Sequence, residues 1–304
     1  MTGSTSRTVP AMGTLVTMEV VPGDSDTSKL REIDAAIARA FEWFVEVEAR
    51  CSRFDPNSEL RQLVDRAGSP VKVSTMLFSA VEFALELARD TDGAFDPAVG
   101  ALMEDHGFGR DYRSGLSAGA RLDDASATFK DVTLDAAAGT IHLTRPLVLD
   151  LGAVAKGMAI DLAAQELRPF GNFAIDAGGD LYVAGCNALR EPWRVGVRNP
   201  ARPDELIESL RITEAAVCTS GSYERGPHIL DARTGAAVTH LSSATVIAPT
   251  AMAADALATA AFVLGPDAGV RLLERHGVEG AIWTGGERLN RHSTSGYVAL
   301  LSHA

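Results

Sequence analysis

Cysteine is scarce in this chain of 304 residues: Cys51, Cys186 and Cys218 are the only three. An odd number at wide spacing fits neither a disulfide framework nor the paired spacing of a zinc site, so free thiols are expected. Positive charge is also short. The 28 Lys and Arg against 40 Asp and Glu leave a net charge of −12, so no overall field attracts nucleic acid or anionic lipid, and a phosphate-bearing ligand must be held by a local site. No stretch approaches the roughly 18 consecutive apolar residues of a membrane span. Residues 1–21 lack the basic segment, apolar run and small-residue cleavage site of an export signal, and no cysteine near the start offers a lipid anchor. These absences predict a mature cytoplasmic protein without membrane insertion.

What is present is ordinary for a globular chain. The sequence is 46% hydrophobic and 22% charged, which excludes collagen, coiled coil and a wholly disordered chain. At this length the chain can bury an extensive core without disulfide or metal staples.

The β-branched run VPAMGTLVTMEVV over 9–21 predicts a strand. Leu30, Ile33, Ile37, Phe41 and Phe44 recur at three- and four-residue intervals and predict an amphipathic helix over Ser28–Arg50. A second helix is expected over Thr75–Asp90, with Ser74 as N-cap and Gly93 beyond its end. DVTLDAAAGTIHLTRPLVLDLG reads as a hairpin that leads into a further strand ending at Asp150, followed by a helix from Ala153 to Leu167. FAID, LYVAG, WRVGV, LIESLRIT, SATVIA, AIWT and YVALL read as strands, and Ala251–Leu264 and Asp267–His276 as helices. The polar segment Gly107–Ala127 reads as a long loop. Mixed elements without strict βαβ alternation favour the α+β class.

Five segments carry chemistry. In AADALATAAFVLG, Asp255 and Thr259 lie at i and i+4 on one face of an otherwise apolar helix. A buried carboxylate needs a partner, either a hard cation such as Mg²⁺ or a neighbouring backbone that it caps. In LDLGAVAKGM, Lys156 and the amides of a helix start offer an anion site, against the alternative of a solvated lysine on an ordinary turn. In TDGAFDPAVG, Phe95 and Asp96 could hold a flat heterocycle, or Phe95 could plug the core. In IDAGGDLYVAG, Gly178 and Gly179 serve the turn first, with Asp176 or Asp180 in a site only second. In CTSGSYERGPHILD, residues 219–221 could form an anion nest, and His228 is either a general base or a structural residue.

Taken in order, AMGT (11–14), CSRFDPNSEL (51–60), GAFDPAVG (93–100), LDLGAVAKGMAID (149–161), IDAGGDLYVAG (175–185), TSGSYER with HILDARTG, and ADALATA (254–260) resemble the ApbE family of FAD:protein FMN transferases. The resemblance implies one ApbE-like α+β domain over 1–304. It implies that Met12, Phe54, Ala94, Phe95 and Asp96 line the flavin or adenine part of an FAD pocket, which Asp150, Lys156 and His228 also touch. It further implies Mg²⁺ held by Asp255, Thr259 and a backbone carbonyl at Ala153, with Gly152 the neighbouring possibility. His228 and the metal-linked Asp255 are then the expected catalytic groups, and the expected partner is a redox flavoprotein presenting a Thr or Ser hydroxyl to FMN. An FAD pyrophosphatase and an FAD-binding protein without chemistry are the rival expectations. One departure is Ala232, where the family usually has proline.

Overall fold

The computed structural model describes residues 4–23, 29–110, 115, 126–222, 226, 228–239, 241–286 and 288–302. Most of the loop expected over 107–127 lies outside the described residues. In chain order the elements are β1 (Thr5–Ala11), β2 (Thr14–Val20), α1 (Leu30–Cys51), α2 (Glu59–Val64), β3 (Pro70–Lys72), α3 (Thr75–Asp90), α4 (Gly100–Met103), β4 (Val132–Asp135), β5 (Thr140–Leu143), α5 (Gly152–Leu167), β6 (Phe173–Ala177) and β7 (Asp180–Ala184). They continue as β8 (Trp193–Asn199), β9 (Arg202–Ile212), β10 (Glu214–Gly221), β11 (Leu230–Asp231), β12 (Ala236–Ala237), β13 (Leu241–Ala248), α6 (Ala251–Leu264), α7 (Pro266–Arg275), β14 (Glu279–Thr284) and β15 (Asn290–Ser293). The class is α+β, as the mixed pattern predicts.

The main sheet has eight strands in the order β1-β2-β6-β7-β10-β13-β14-β15, and each neighbouring pair is antiparallel. One face carries α1, α5 and α6 over a core that includes Val16, Met18, Phe173 and Phe262. The opposite face of β7, β10, β13 and β14 packs Val183, Val217, Ile247 and Trp283 against Val195 and Leu210 of the β8–β9 hairpin and against Tyr297. Central strands are therefore covered on both sides, which is why EAAVCTSG of β10 is nearly continuously small or apolar instead of alternating. A smaller sheet, β3-β5-β4, stands apart.

Two helices have the expected origin. On α1 Ile33, Ile37, Phe41 and Phe44 are buried, whereas Leu30 of the same periodic set is exposed at the helix start. On α3, Ser74 caps the start by accepting from the Leu77 amide at 3.2 Å.

Three expectations are corrected. The run over 9–21 is a hairpin, because Met12 (φ 46°) and Gly13 (φ 70°) turn the chain between β1 and β2. Positive φ at a methionine is uncommon, so the sequence concealed the turn. The strand expected to end at Asp150 reduces to one parallel bridge, Val99 to Val148. YVALL forms a 3₁₀ turn over Tyr297–Leu300, with the Tyr297 ring fully buried. Among the described residues no helix is long and apolar enough to cross a membrane.

Helices α5 and α6 meet at unusually short range. A Cβ built on Gly157 would stand 2.4 Å from the Ala251 carbonyl oxygen. Beside that contact, Asp161 of α5 accepts the first amides of α6, Ala251 N at 2.7 Å and Met252 N at 2.9 Å. Thus a carboxylate from one helix caps the start of the next.

Burial lifts the Asp161 carboxyl to about 6 against the pull of those two amides and of Arg168. The native state then binds more protons than the unfolded chain from about pH 4 to about pH 6. Stability contributed by this group accordingly falls as pH rises through that window. Relative to Asp161→Asn, the wild type is expected to lose about 2 kcal/mol between pH 4 and 7. Denaturant melts of both proteins at the two pH values measure it, and parallel pH profiles would refute it.

Candidate active site

Several loops converge at one end of the main sheet. The β1–β2 turn with Met12 abuts the β6–β7 turn: Gly178 N donates to the Leu15 carbonyl at 3.1 Å, and a Cβ on Gly178 would meet Thr14 Oγ1 at 2.2 Å. Gly178 and Gly179 both have positive φ, the conformation glycine adopts without steric penalty. Their turn delivers Asp180, whose Oδ1 accepts the Thr219 amide of β10 at 3.1 Å.

Beside that turn lies an ionic triad. Lys156 Nζ, one turn into α5, contacts Oδ2 of Asp180 and lies 2.9 Å from Oδ2 of Asp255 on α6. Asp180 and Asp255 are each only 6% exposed, so an opposite charge between them offsets a desolvation that neither could bear alone. Hydroxyls complete the cluster. Thr259 Oγ1 donates to the Asp255 carbonyl at 3.2 Å and pairs with Ser220 Oγ at 2.9 Å, while Thr219 and Thr245 pair their hydroxyls at 2.9 Å. Asp255 and Thr259 thus share the inner face of α6, as their spacing predicts.

The start of α5 differs from the anion cradle expected of it. Gly152 N donates to Asp150 Oδ1 at 2.7 Å, and Val154 N and Ala155 N both donate to the Leu151 carbonyl. Three of the first-turn amides thus have partners within the chain, and the Lys156 ammonium that follows lies against Asp180 and Asp255. Ala153 occupies the first turn, three residues before Lys156.

A second cluster forms around Arg53, which is 5% exposed. Its Nε lies 2.6 Å from Asp150 Oδ2, Nη2 donates to the Phe108 carbonyl at 2.7 Å, and the guanidinium carbon stands 4.2 Å over the Phe54 ring. Phe108 in turn meets the His228 ring edge-on, centroids 6.3 Å apart. The His228 Nδ1–H donates to the Gly226 carbonyl at 3.0 Å. Asp150, Phe54 and His228 are therefore linked through one buried arginine.

The 93–100 loop is tied to the same region by Asp150 N donating to the Pro97 carbonyl at 2.7 Å. Ala94 and Phe95 are buried, 1% and 7% exposed. Both Asp96 carboxylate oxygens accept backbone amides, Ala98 N at 2.8 Å and Phe129 N at 2.9 Å. Burial nevertheless pushes its pKa up. Asp96, Val99, Leu102, Thr128 and Arg233 line a cavity of about 240 Å³. Ala232, the departure from the family pattern, uses the N–H that a proline would lack to approach the Ala94 carbonyl at 3.5 Å.

The ApbE family profile matches residues 12–282. This chain belongs to the ApbE family. It is 34% identical to the FAD:protein FMN transferase of Treponema pallidum over 80% of its length and 75% of that protein's. To the FAD:protein FMN transferase of Vibrio cholerae serotype O1 it is 30% identical, over 87% of its length and 83% of that protein's. Among solved structures, the ApbE protein of Thermotoga maritima superposes with a TM-score of 0.82 at 29% identity, covering 99% of this chain and all of that one. The flavin transferase ApbE of Vibrio cholerae superposes with a TM-score of 0.83 at 24% identity over 98% of this chain and all of that one, a likeness of fold.

Among the described residues no three His, Cys, Asp or Glu side chains gather as a metal cage. The oxygen donors present, Asp255, Thr259 and nearby hydroxyls, instead suit a hard cation that takes one or two carboxylates and completes its shell with substrate phosphates and water. These donors fit Mg²⁺ on that chemistry. Of the residues gathered here, Asp180 was expected in a site only second to the turn that precedes it, and Arg53 was not singled out. Nothing local marked Arg53, since its neighbours Ser52, Asp55 and Asn57 are polar and its partners Asp150 and Phe108 lie far along the chain.

Proposed function

We propose that the protein is a Mg²⁺-dependent FAD:protein FMN transferase that moves FMN from FAD to a Thr or Ser hydroxyl of an acceptor flavoprotein and releases AMP. The observation that carries this reading is the meeting of Lys156, Asp255 and Thr259 beside the Asp180 turn, in a chain of the ApbE family. Asp255, Thr259 and the Ala153 carbonyl would hold Mg²⁺, which when bound neutralises pyrophosphate charge and stabilises the AMP leaving group.

The protein's own groups supply the rest. Lys156 offers N–H donors to the pyrophosphate at the head of α5, its charge balanced by Asp180. Met12, Phe54, Ala94, Phe95 and Asp96 form the walls for the flavin and adenine, with Ala94 and Phe95 acting from beneath and Asp96 fixing its loop. Asp150 is held by Arg53 at the same wall. His228 takes the proton of the acceptor hydroxyl as its oxygen bonds to the FMN-side phosphorus, the P–O bond to the AMP phosphate breaks, and AMP departs.

Incubation with FAD and Mg²⁺, with and without a Thr/Ser-bearing acceptor, tests the reading. AMP release together with a fluorescent acceptor band on a denaturing gel is the expected result. Equal AMP and free FMN without acceptor would make the protein an FAD pyrophosphatase, and bound FAD with no AMP in either tube a binding protein. His228→Gln is expected to slow transfer by about 10²-fold while FAD affinity stays within about twofold. An unchanged transfer rate would remove His228 as the base.

A further inference from the structure

Asp180 has no role in the proposed chemistry above, yet it is one of the most constrained polar groups at the site. It is 6% exposed and follows a turn whose two glycines are pinned, Gly178 N on the Leu15 carbonyl and Gly179 N on Asp176 Oδ1 at 2.8 Å. One carboxylate oxygen is taken by the Thr219 amide and the other by Lys156. Each oxygen thus already has a partner within the protein. Lys156 differs: its ammonium sits on a flexible stem, carries three donors and reaches Asp255 as well.

We propose that Asp180 is a positioning residue that keeps Lys156 as its own counter-ion, so that a divalent cation meets Asp255 with the Lys156 charge already neutralised. This inference rests on the Mg²⁺ reading above and deepens it. Charge bookkeeping gives it a signature. With Asp180 present, the cation experiences one carboxylate and a neutral pair. Without Asp180, it meets one carboxylate and an uncompensated ammonium. Without Lys156, it meets two carboxylates. Without both, it again meets one carboxylate and no ammonium.

The test is Mn²⁺ binding followed by electron paramagnetic resonance of the free ion, with and without FAD, on wild type, Asp180→Asn, Lys156→Gln and the double variant. Asparagine keeps the oxygen that accepts the Thr219 amide, and thermal melts check that each variant is folded. Asp180→Asn is expected to bind about tenfold more weakly and Lys156→Gln about tenfold more tightly, with the double variant back within about threefold of wild type. A double variant as weak as Asp180→Asn would make Asp180 a direct ligand and overturn the inference. Unchanged or tighter binding by Asp180→Asn would overturn it too. If wild type takes up no Mn²⁺ in either condition, the cation reading itself fails and takes this inference with it. If wild type binds and only the rescue fails, the cation reading stands.

Discussion

Asp255→Ala is expected to reduce Mg²⁺-dependent AMP release from FAD by at least about 10³-fold, the scale on which removal of a metal-held electrostatic stabiliser acts. The substitution deletes a carboxylate from a helix whose other buried residues are alanine, leucine, phenylalanine and valine, so no other side chain of α6 within a turn can replace it except the neutral Thr259. Stability should not follow activity down. Alanine is the better helix former, the carboxylate is buried, and Lys156 retains Asp180. AMP assays over a Mg²⁺ titration, paired with thermal melts, separate the two effects. Activity that keeps the wild-type Mg²⁺ dependence would remove Asp255 from the site.

Gly157→Ala is expected to lower the melting temperature by about 5 °C, on the basis of about 2 kcal/mol of overpacking in a chain of this size. Helix propensity alone points the other way, since alanine in a helix interior is favoured over glycine by about 1 kcal/mol. The packing effect wins because the new methyl meets backbone, at 2.4 Å from the Ala251 oxygen and 2.5 Å from Met252 Cα, and backbone cannot rotate away as a side chain can. Relief requires α5 and α6 to separate. That movement would stretch the Asp161 bonds to Ala251 and Met252. A variant at least as stable as wild type would show that the helices can part without penalty.

The helices were the legible part of the fold. Thr75–Asp90 and Ala251–Leu264 have the bounds that periodicity and caps predict. Elements read less well where tertiary contacts overrode local pattern. Met12 turns left-handed because pairing of Ala11 with Thr14 leaves only Met12 and Gly13 to reverse the chain, and Tyr297 curls into a 3₁₀ turn to fill the far core. At the site, Asp255, Thr259 and Lys156 were legible because each is a polar residue within an apolar helix. The Asp180 partnership was not, because it depends on β7 and β10 being neighbours in a sheet whose order is not the order of the chain. The tie from Arg53 to Asp150 and Phe108 joins three separate loops, which single-segment reading cannot assemble.

The lateness of α6 in the chain has a consequence for biosynthesis. This helix covers α5, β10 and β13, yet it leaves the ribosome only after all three. Until then Gly157, Asp161 and Cys218, which meet Ala251 in the finished protein, have no such cover, and β14 and β15 of the main sheet are also still to come. A nascent chain halted before Ala251 therefore exposes the surface that the finished protein hides best, the kind of surface that chaperones bind and that associates between molecules. Pulse-labelled chains of that length should be recovered with chaperone, and chains extended through Leu264 should be released.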